Sequence, residues 1–285
     1  MKHLDKNKVE TLVKRVEREI NEGLLPAAQI AIGFDNKIVF SKNFGDTKPD
    51  SLFCIFSATK AVTSAASWLL MQKKVISEND LVTDYIPEFG ENGKGKITLS
   101  HLLTHTAGFP HAPFKPIEWK SKEARIRRFE QWRSFWEPGT KFEYHPSSSM
   151  YVVAEIIERA SGQHFESFVK DHIVNPLQLR NTFIGLPDEQ SSRALPIRYC
   201  GAELSQQEYE EMGFPVPPET EVTEDAVLSF NERDVQASGI PGGGAFSNAE
   251  DMAIFYQALL HGGTNQERLW QDDMLANAKT IRNSN

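Results

Sequence analysis

A chain of 285 residues with 40% hydrophobic and 25% charged residues has an ordinary soluble composition and enough length to bury a large core, which argues against collagen-like, coiled-coil and disordered readings. No apolar run approaches the ~20 residues that cross a bilayer, and the opening Met1-Lys2-His3-Leu4-Asp5-Lys6 lacks an apolar signal region, so a cytoplasmic setting without membrane contact is expected. A net charge of -8 repels a phosphate backbone, and two cysteines, Cys54 and Cys200, are too few for a disulfide framework or a metal cluster.

Val9, Leu12, Val13, Val16 and Ile20 recur at helical spacing and predict an amphipathic helix over 4–22, closed by Gly23. A hairpin is expected next, from Ala27 to Phe34, through a turn at Asp35-Asn36, to Lys37–Asn43. Phe56 to Met71 is apolar and rich in alanine, as suits a helix buried on nearly all sides. Further helices are expected at 99–104, 121–135, 147–160, 165–172 and 249–260. Within 111–136, seven basic residues interleave with Trp119, Phe129, Trp132, Phe135 and Trp136, which reads as an amphipathic helix packing its aromatics rather than an RNA or membrane contact. Residues 183–240 carry twelve acids against three arginines, together with Pro215, Pro217 and Pro218, and predict a long surface excursion of little regular structure. Gly242-Gly243-Gly244 lacks the Lys-Ser/Thr of a phosphate loop, and is expected to be a tight turn before a helix capped by Ser247 with Glu250 completing a capping box. Few strand patterns follow residue 45, so a small sheet lobe followed by a large helical lobe is the expected layout.

Ser57-Ala58-Thr59-Lys60 places a hydroxyl and an ammonium three residues apart on one helix face. The spacing is common, and Ser167-Phe168-Val169-Lys170 repeats it. Context separates the two, because Lys60 is the only charge between Asp50 and Lys73. Burial of an unpaired ammonium lowers its pKa, the property a lysine needs to act as a base. An N-cap serine followed by a snorkelling lysine is the structural alternative. Tyr144 lies on a turn-rich loop, Pro138 to Pro146, ahead of the 147–160 helix, where it is either a structural aromatic or a group sharing protons with Ser57 and Lys60. His101 and His105 have no metal-ligand partners in view and read as structural.

These residues resemble the serine beta-lactamase and penicillin-binding-protein-like hydrolases, in the branch of class C beta-lactamases and their esterase relatives. The resemblance runs in order through the Ala27–Asn43 hairpin, Ser57-Ala58-Thr59-Lys60, Ile97 to Gly108, Pro138-Gly139 to Tyr144, Ile156 to Gly162, Asn175-Pro176-Leu177 and Gly242 to Ser247. It implies an α/β fold of α+β type, an antiparallel sheet flanked by helices plus a large helical lobe. The expected arrangement is one domain, with a sheet lobe over about 1–55 and a return helix in 249–285, and a helical lobe over about 56–248. It also implies Ser57 as acylated nucleophile, Lys60 and Tyr144 as proton-transfer partners, no metal and no organic cofactor. Two departures matter. Pro146 stands where the family commonly has an asparagine that contacts substrate, which shifts the expectation from beta-lactams to esters. The family's third motif, Lys-Thr-Gly or an equivalent, finds no match, since Lys279-Thr280-Ile281 lacks the glycine and His261-Gly262-Gly263 reads as a helix end. A C-terminally incomplete chain, poorly stable and weakly active by itself, is therefore expected. The leading expectation is a serine hydrolase of small carboxylic esters, with a small-molecule ester or amide as its partner and no nucleic acid. The alternatives are a beta-lactamase or D-Ala-D-Ala peptidase-like enzyme and an inactive binding or scaffold homologue.

Overall fold

A computed structural model of the chain describes residues 4–200, 205–213, 223–265 and 267–282. In chain order the elements are α1 (Lys6–Asn21), β1 (Ala27–Phe34), β2 (Lys37–Gly45), β3 (Phe53–Cys54), a 3-10 turn (Phe56–Ala58), α2 (Thr59–Gln72), α3 (Val82–Tyr85), α4 (Leu99–Leu103), α5 (Lys122–Gln131), α6 (Ser148–Ser161) and α7 (Phe165–Val169). Then come β4 (Phe183–Ile184), α8 (Gln206–Glu211), α9 (Glu224–Leu228), α10 (Arg233–Gln236), β5 (Ala245–Ser247), α11 (Ala249–His261) and α12 (Asp272–Ala278).

The N-terminal hairpin pairs Ala27 with Gly45 and Phe34 with Lys37 in antiparallel register. Its turn is made by Asp35 and Asn36, both at positive φ (51° and 57°), a backbone whose twist matches the strands it joins. α1 starts where the Asp5 carboxylate accepts the Asn7 and Lys8 N–H groups. It lies against β2, while α11 lies against β1 and β2, so the hairpin is covered by one helix from each end of the chain. None of α1 is fully buried.

The main core is helical. α6 packs against α2, α3, α4 and α7, and Val152, Val153, Ala154, Ile156 and Ile157 are each 0% exposed. Burial of each large side chain in that set contributes about 1.5–3 kcal/mol. Ala65 and Ala66, also fully buried, let neighbours approach α2 closely, and the Trp270 indole N–H donates to the Ala65 carbonyl. Trp119, Phe129 and Trp132 are buried in this core as the 111–136 pattern predicts, although Phe135 is exposed and the helix itself stops at Gln131.

Three expectations are corrected. A second sheet exists, ordered β3-β5-β4 and antiparallel, and its strands of two or three residues are too short for any period to be read in sequence. The helix after the glycine run is capped by Asn248, whose side chain accepts the Asp251 N–H, and not by Ser247 with Glu250. Ser247 is instead a buried residue of β5 bonded to the Thr182 hydroxyl, because one more strand residue fits between turn and helix than the pattern implied. The 183–240 segment is more regular than its charge implies: it holds β4, α8, α9 and α10, and Val235 and Ile240 are buried on the core. Apolar anchors spaced through an acidic stretch suffice to dock it. Glu203, Pro215, Pro217, Pro218, Glu219 and Glu221 lie outside the described residues. α12, absent from the expected elements, lies against α2 rather than the hairpin.

Candidate active site

Ser57 sits in the 3-10 turn that leads into α2, directly after the short strand β3. The first N–H groups of such a turn have no partner inside it, and among the described residues the Ser57 N–H has no acceptor. Phe56 precedes it at φ +40°, an uncommon conformation for a bulky residue that costs on the order of 1–3 kcal/mol. Its ring meets Phe230 at 5.3 Å between centroids, a contact that holds the bend.

One turn on, Lys60 is 8% exposed and has no carboxylate among its hydrogen-bond partners. Its Nζ lies 3.0 Å from Ser57 Oγ, 2.6 Å from the Pro146 carbonyl and 2.7 Å from the Gly242 carbonyl. Burial pushes the Lys60 ammonium below the ordinary lysine range, against the Tyr144 hydroxyl, which holds it up. A neutral amine has two N–H bonds and one lone pair. The two carbonyls and the Ser57 oxygen are three acceptors for the three N–H bonds of the ammonium, and once a proton is lost the carbonyls can take both remaining N–H bonds, which leaves the lone pair for the Ser57 side.

The Gly242 carbonyl is fixed by α2 itself. Thr63 Oγ1 donates to the Pro241 carbonyl at 2.6 Å, and Thr59 Oγ1 accepts the Ala245 N–H at 3.1 Å. Gly244 bends back so tightly that a Cβ there would stand 2.8 Å from the Ile240 backbone nitrogen, so the run is a turn, as expected.

Tyr144 O–H donates to Ser57 Oγ at 2.8 Å, and Lys60 Nζ stands 5.1 Å from the centre of its ring. The loop that carries it is held by the 105–109 segment. The Glu143 N–H donates to the His105 carbonyl, the His145 N–H to His105 Nδ1, and the Phe109 N–H to His145 Nε2. At the loop's start, Gly139 is at φ +87°, and a Cβ there would stand 2.9 Å from His101 Nε2. His101 Nδ1 also accepts the Thr98 N–H at the head of α4, a structural role.

The three residues expected at the site thus meet around one oxygen, Ser57 Oγ. The repeat of the spacing does not, since Ser167 and Lys170 are both exposed on and beyond α7. Thr280 bonds back to the Ala276 carbonyl and Gly262 closes α11 at φ +86°, so neither C-terminal segment forms a strand beside Ser57. Sequence reasoning missed the Pro146 and Gly242 carbonyls, because a backbone acceptor leaves no side-chain signature. It saw in Pro146 only a missing side-chain donor and N–H, whereas the carbonyl of that residue is one of the two that hold Lys60. Groups of three or more His, Cys, Asp or Glu that could hold a metal are absent among the described residues, and no helix there is long and apolar enough to cross a membrane.

The model of the beta-lactamase family matches residues 12–283, and the chain belongs to that family. The beta-lactamase of Yersinia enterocolitica is 29% identical over 177 residues, 59% of this chain and 45% of its own length. The "Putative D-alanyl-D-alanine carboxypeptidase" of Escherichia coli (strain K12) is 25% identical over 311 residues, 94% of this chain and 66% of its own. Among solved structures, a family VIII carboxylesterase superimposes with a TM-score of 0.75 at 24% identity, over 91% of this chain and 71% of that one, a likeness that shows the fold. The chain therefore spans less than two thirds of the length of both curated relatives.

Proposed function

We propose that the protein is a serine hydrolase of small carboxylic esters that works through an acyl-enzyme on Ser57. The observation that carries this reading is the double contact on Ser57 Oγ, with Lys60 Nζ at 3.0 Å and Tyr144 O–H at 2.8 Å. In the neutral state favoured by burial, Lys60 takes the Ser57 proton as Oγ attacks the ester carbonyl. The unpartnered Ser57 N–H supports the oxygen that becomes negative. Collapse of the tetrahedral intermediate expels the alkoxide, which takes the Tyr144 proton and leaves as alcohol, and Lys60 returns its proton to Tyr144. Water then attacks the acyl-enzyme by the reverse sequence, releasing acid and restoring Ser57. Pro146 favours esters over lactams, since it offers no side-chain amide to a substrate amide.

The test is a fluorophosphonate probe with peptide mapping, followed by kcat/KM for p-nitrophenyl butyrate and for nitrocefin. Labelling at Ser57 and faster turnover of the ester are expected. Labelling at another residue, or none in folded protein, would remove the nucleophile assignment. A second reading, lactam or D-Ala-D-Ala peptide processing, draws on the carboxypeptidase relative matched over 94% of this chain, and a preference for nitrocefin would establish it over the first.

A further inference from the structure

We infer that His105 is the positioning residue for Tyr144, gripping the backbone on both sides of it so that the phenol stands against Ser57. The inference rests on the proton-transfer role proposed above for Tyr144. The His105 carbonyl accepts the Glu143 N–H at 3.1 Å, and His105 Nδ1 accepts the His145 N–H at 3.1 Å. One residue thus fixes the N–H groups of both chain neighbours of Tyr144. Its ring also meets the phenol ring at 4.8 Å and the Phe142 ring edge-on at 6.3 Å. His105 adopts φ +59°, a left-handed conformation that turns carbonyl and ring toward the same strand of loop.

The grip works only with Nδ1 as an acceptor, which places the ring proton on Nε2. Burial first, then His145 and Lys60, hold His105 down to about 4, so the imidazole is the neutral acceptor above that pH. His145 completes the clamp from inside the loop. Its Nδ1–H donates to the Glu143 carbonyl at 2.7 Å, its Nε2 accepts the Phe109 N–H at 3.2 Å, and burial holds it down to about 4 as well. The other charged groups facing this pair are Lys60 across the phenol and, on the loop's outer side, Glu143 with His111 at 3.0 Å and Lys141 at 2.7 Å. Whenever Lys60 carries a proton it opposes a positive charge on the His105 ring, and although Glu143 draws His145 upward, burial outweighs it.

The experiment compares His105→Ala and His105→Asn. Asparagine tolerates the left-handed backbone, and its Oδ1 falls near the place of Nδ1 as an acceptor. His105→Ala should lower kcat for p-nitrophenyl butyrate at least 10-fold with KM within about 2-fold, and His105→Asn should recover most of the loss. In a Tyr144→Phe background, His105→Ala should cost less than about 3-fold, because its effect runs through the missing hydroxyl. The 19F resonance of 3-fluorotyrosine placed at 144 should broaden or shift in His105→Ala and return in His105→Asn. That resonance reads the clamp without any chemistry, so it separates failure of the clamp from failure of the proposed function. An unchanged resonance, an undiminished kcat, or an Asn variant no better than the Ala variant would overturn the inference.

Discussion

Two stretches of this chain share the spacing Ser-x-x-Lys on a helix, and the molecule treats them in opposite ways. At Ser57 and Lys60 the lysine is 8% exposed and holds two backbone carbonyls and the serine hydroxyl. At Ser167 and Lys170 both side chains reach solvent, and neither bonds the other. Helical spacing only brings two side chains to one face. In the proposed function, what sets the first pair apart is the removal of water from around the ammonium and the supply of two acceptors but no anion. A carboxylate at that position would restore the charge and spoil the base.

The largest effect that separates the two stretches is on turnover. Ser57→Ala should reduce ester hydrolysis to the assay background, while Ser167→Ala leaves kcat within about 2-fold, since surface changes remote from the site rarely register. Steady-state rates on purified, folded variants decide this. Loss of activity in the second variant, or its survival in the first, would erase the difference between the two stretches.

Next in size are the proposed proton-transfer partners. Lys60→Ala and Tyr144→Phe should each lower kcat by about 10² or more, the scale of positioned proton transfer, and Lys170→Ala should change nothing. Because both groups act on one oxygen, Lys60→Ala combined with Tyr144→Phe should fall well short of the product of the single losses. A Lys60→Ala protein that melts normally and keeps near-parental activity would make the lysine a structural group.

How far the sequence revealed this distinction is itself instructive. An uncharged run from Ser51 to Gln72, broken only by Lys60, announced burial of that lysine. The long helices and the Asp35-Asn36 hairpin were equally legible, because each spans enough residues for a period or a turn signal to emerge. The carbonyls of Pro146 and Gly242 were not, since they come from loops 86 and 182 residues away and carry no identity a sequence can display. The same limit hid the β3-β5-β4 sheet, whose three strands meet from residues 53, 183 and 245 onward. His105 stood in plain view as a histidine, but its grip on the amides either side of Tyr144 depends on a left-handed φ that only the fold displays.

The pH dependence of the rate is a gentler probe of the same contrast. On the acid side of Lys60's depressed pKa the neutral amine is a minor species, and kcat/KM should rise about tenfold per pH unit until that pKa is passed. Lys60→Ala should flatten this limb, and Lys170→Ala should leave it in place. A limb that persists unchanged without Lys60 would assign the titration to another group.

The smallest effect is on stability, and its sign follows from burial. A lysine whose folded pKa lies below its unfolded value binds fewer protons in the native state, so stability rises with pH across the window between the two. Lys60→Met removes that contribution but also leaves the Pro146 and Gly242 carbonyls without a donor, at about 1–3 kcal/mol for each buried group. Stability at one pH therefore mixes two opposing terms, while the slope isolates the first. Lys94 adds a slope of the same sign: it is fully buried, its Nζ donates to the Glu91 and Trp132 carbonyls, and burial pushes it down to about 8. Lys94 is present in every variant compared, so its slope cancels in the difference. Urea unfolding from neutral pH upward should show the gap between the parent and Lys60→Met widening in the parent's favour as pH rises. Lys170→Met should track the parent within about 0.5 kcal/mol at every pH. Parallel curves for the parent and Lys60→Met would mean that Lys60 stays charged through the whole range, and the neutral amine facing Ser57 would have to be abandoned.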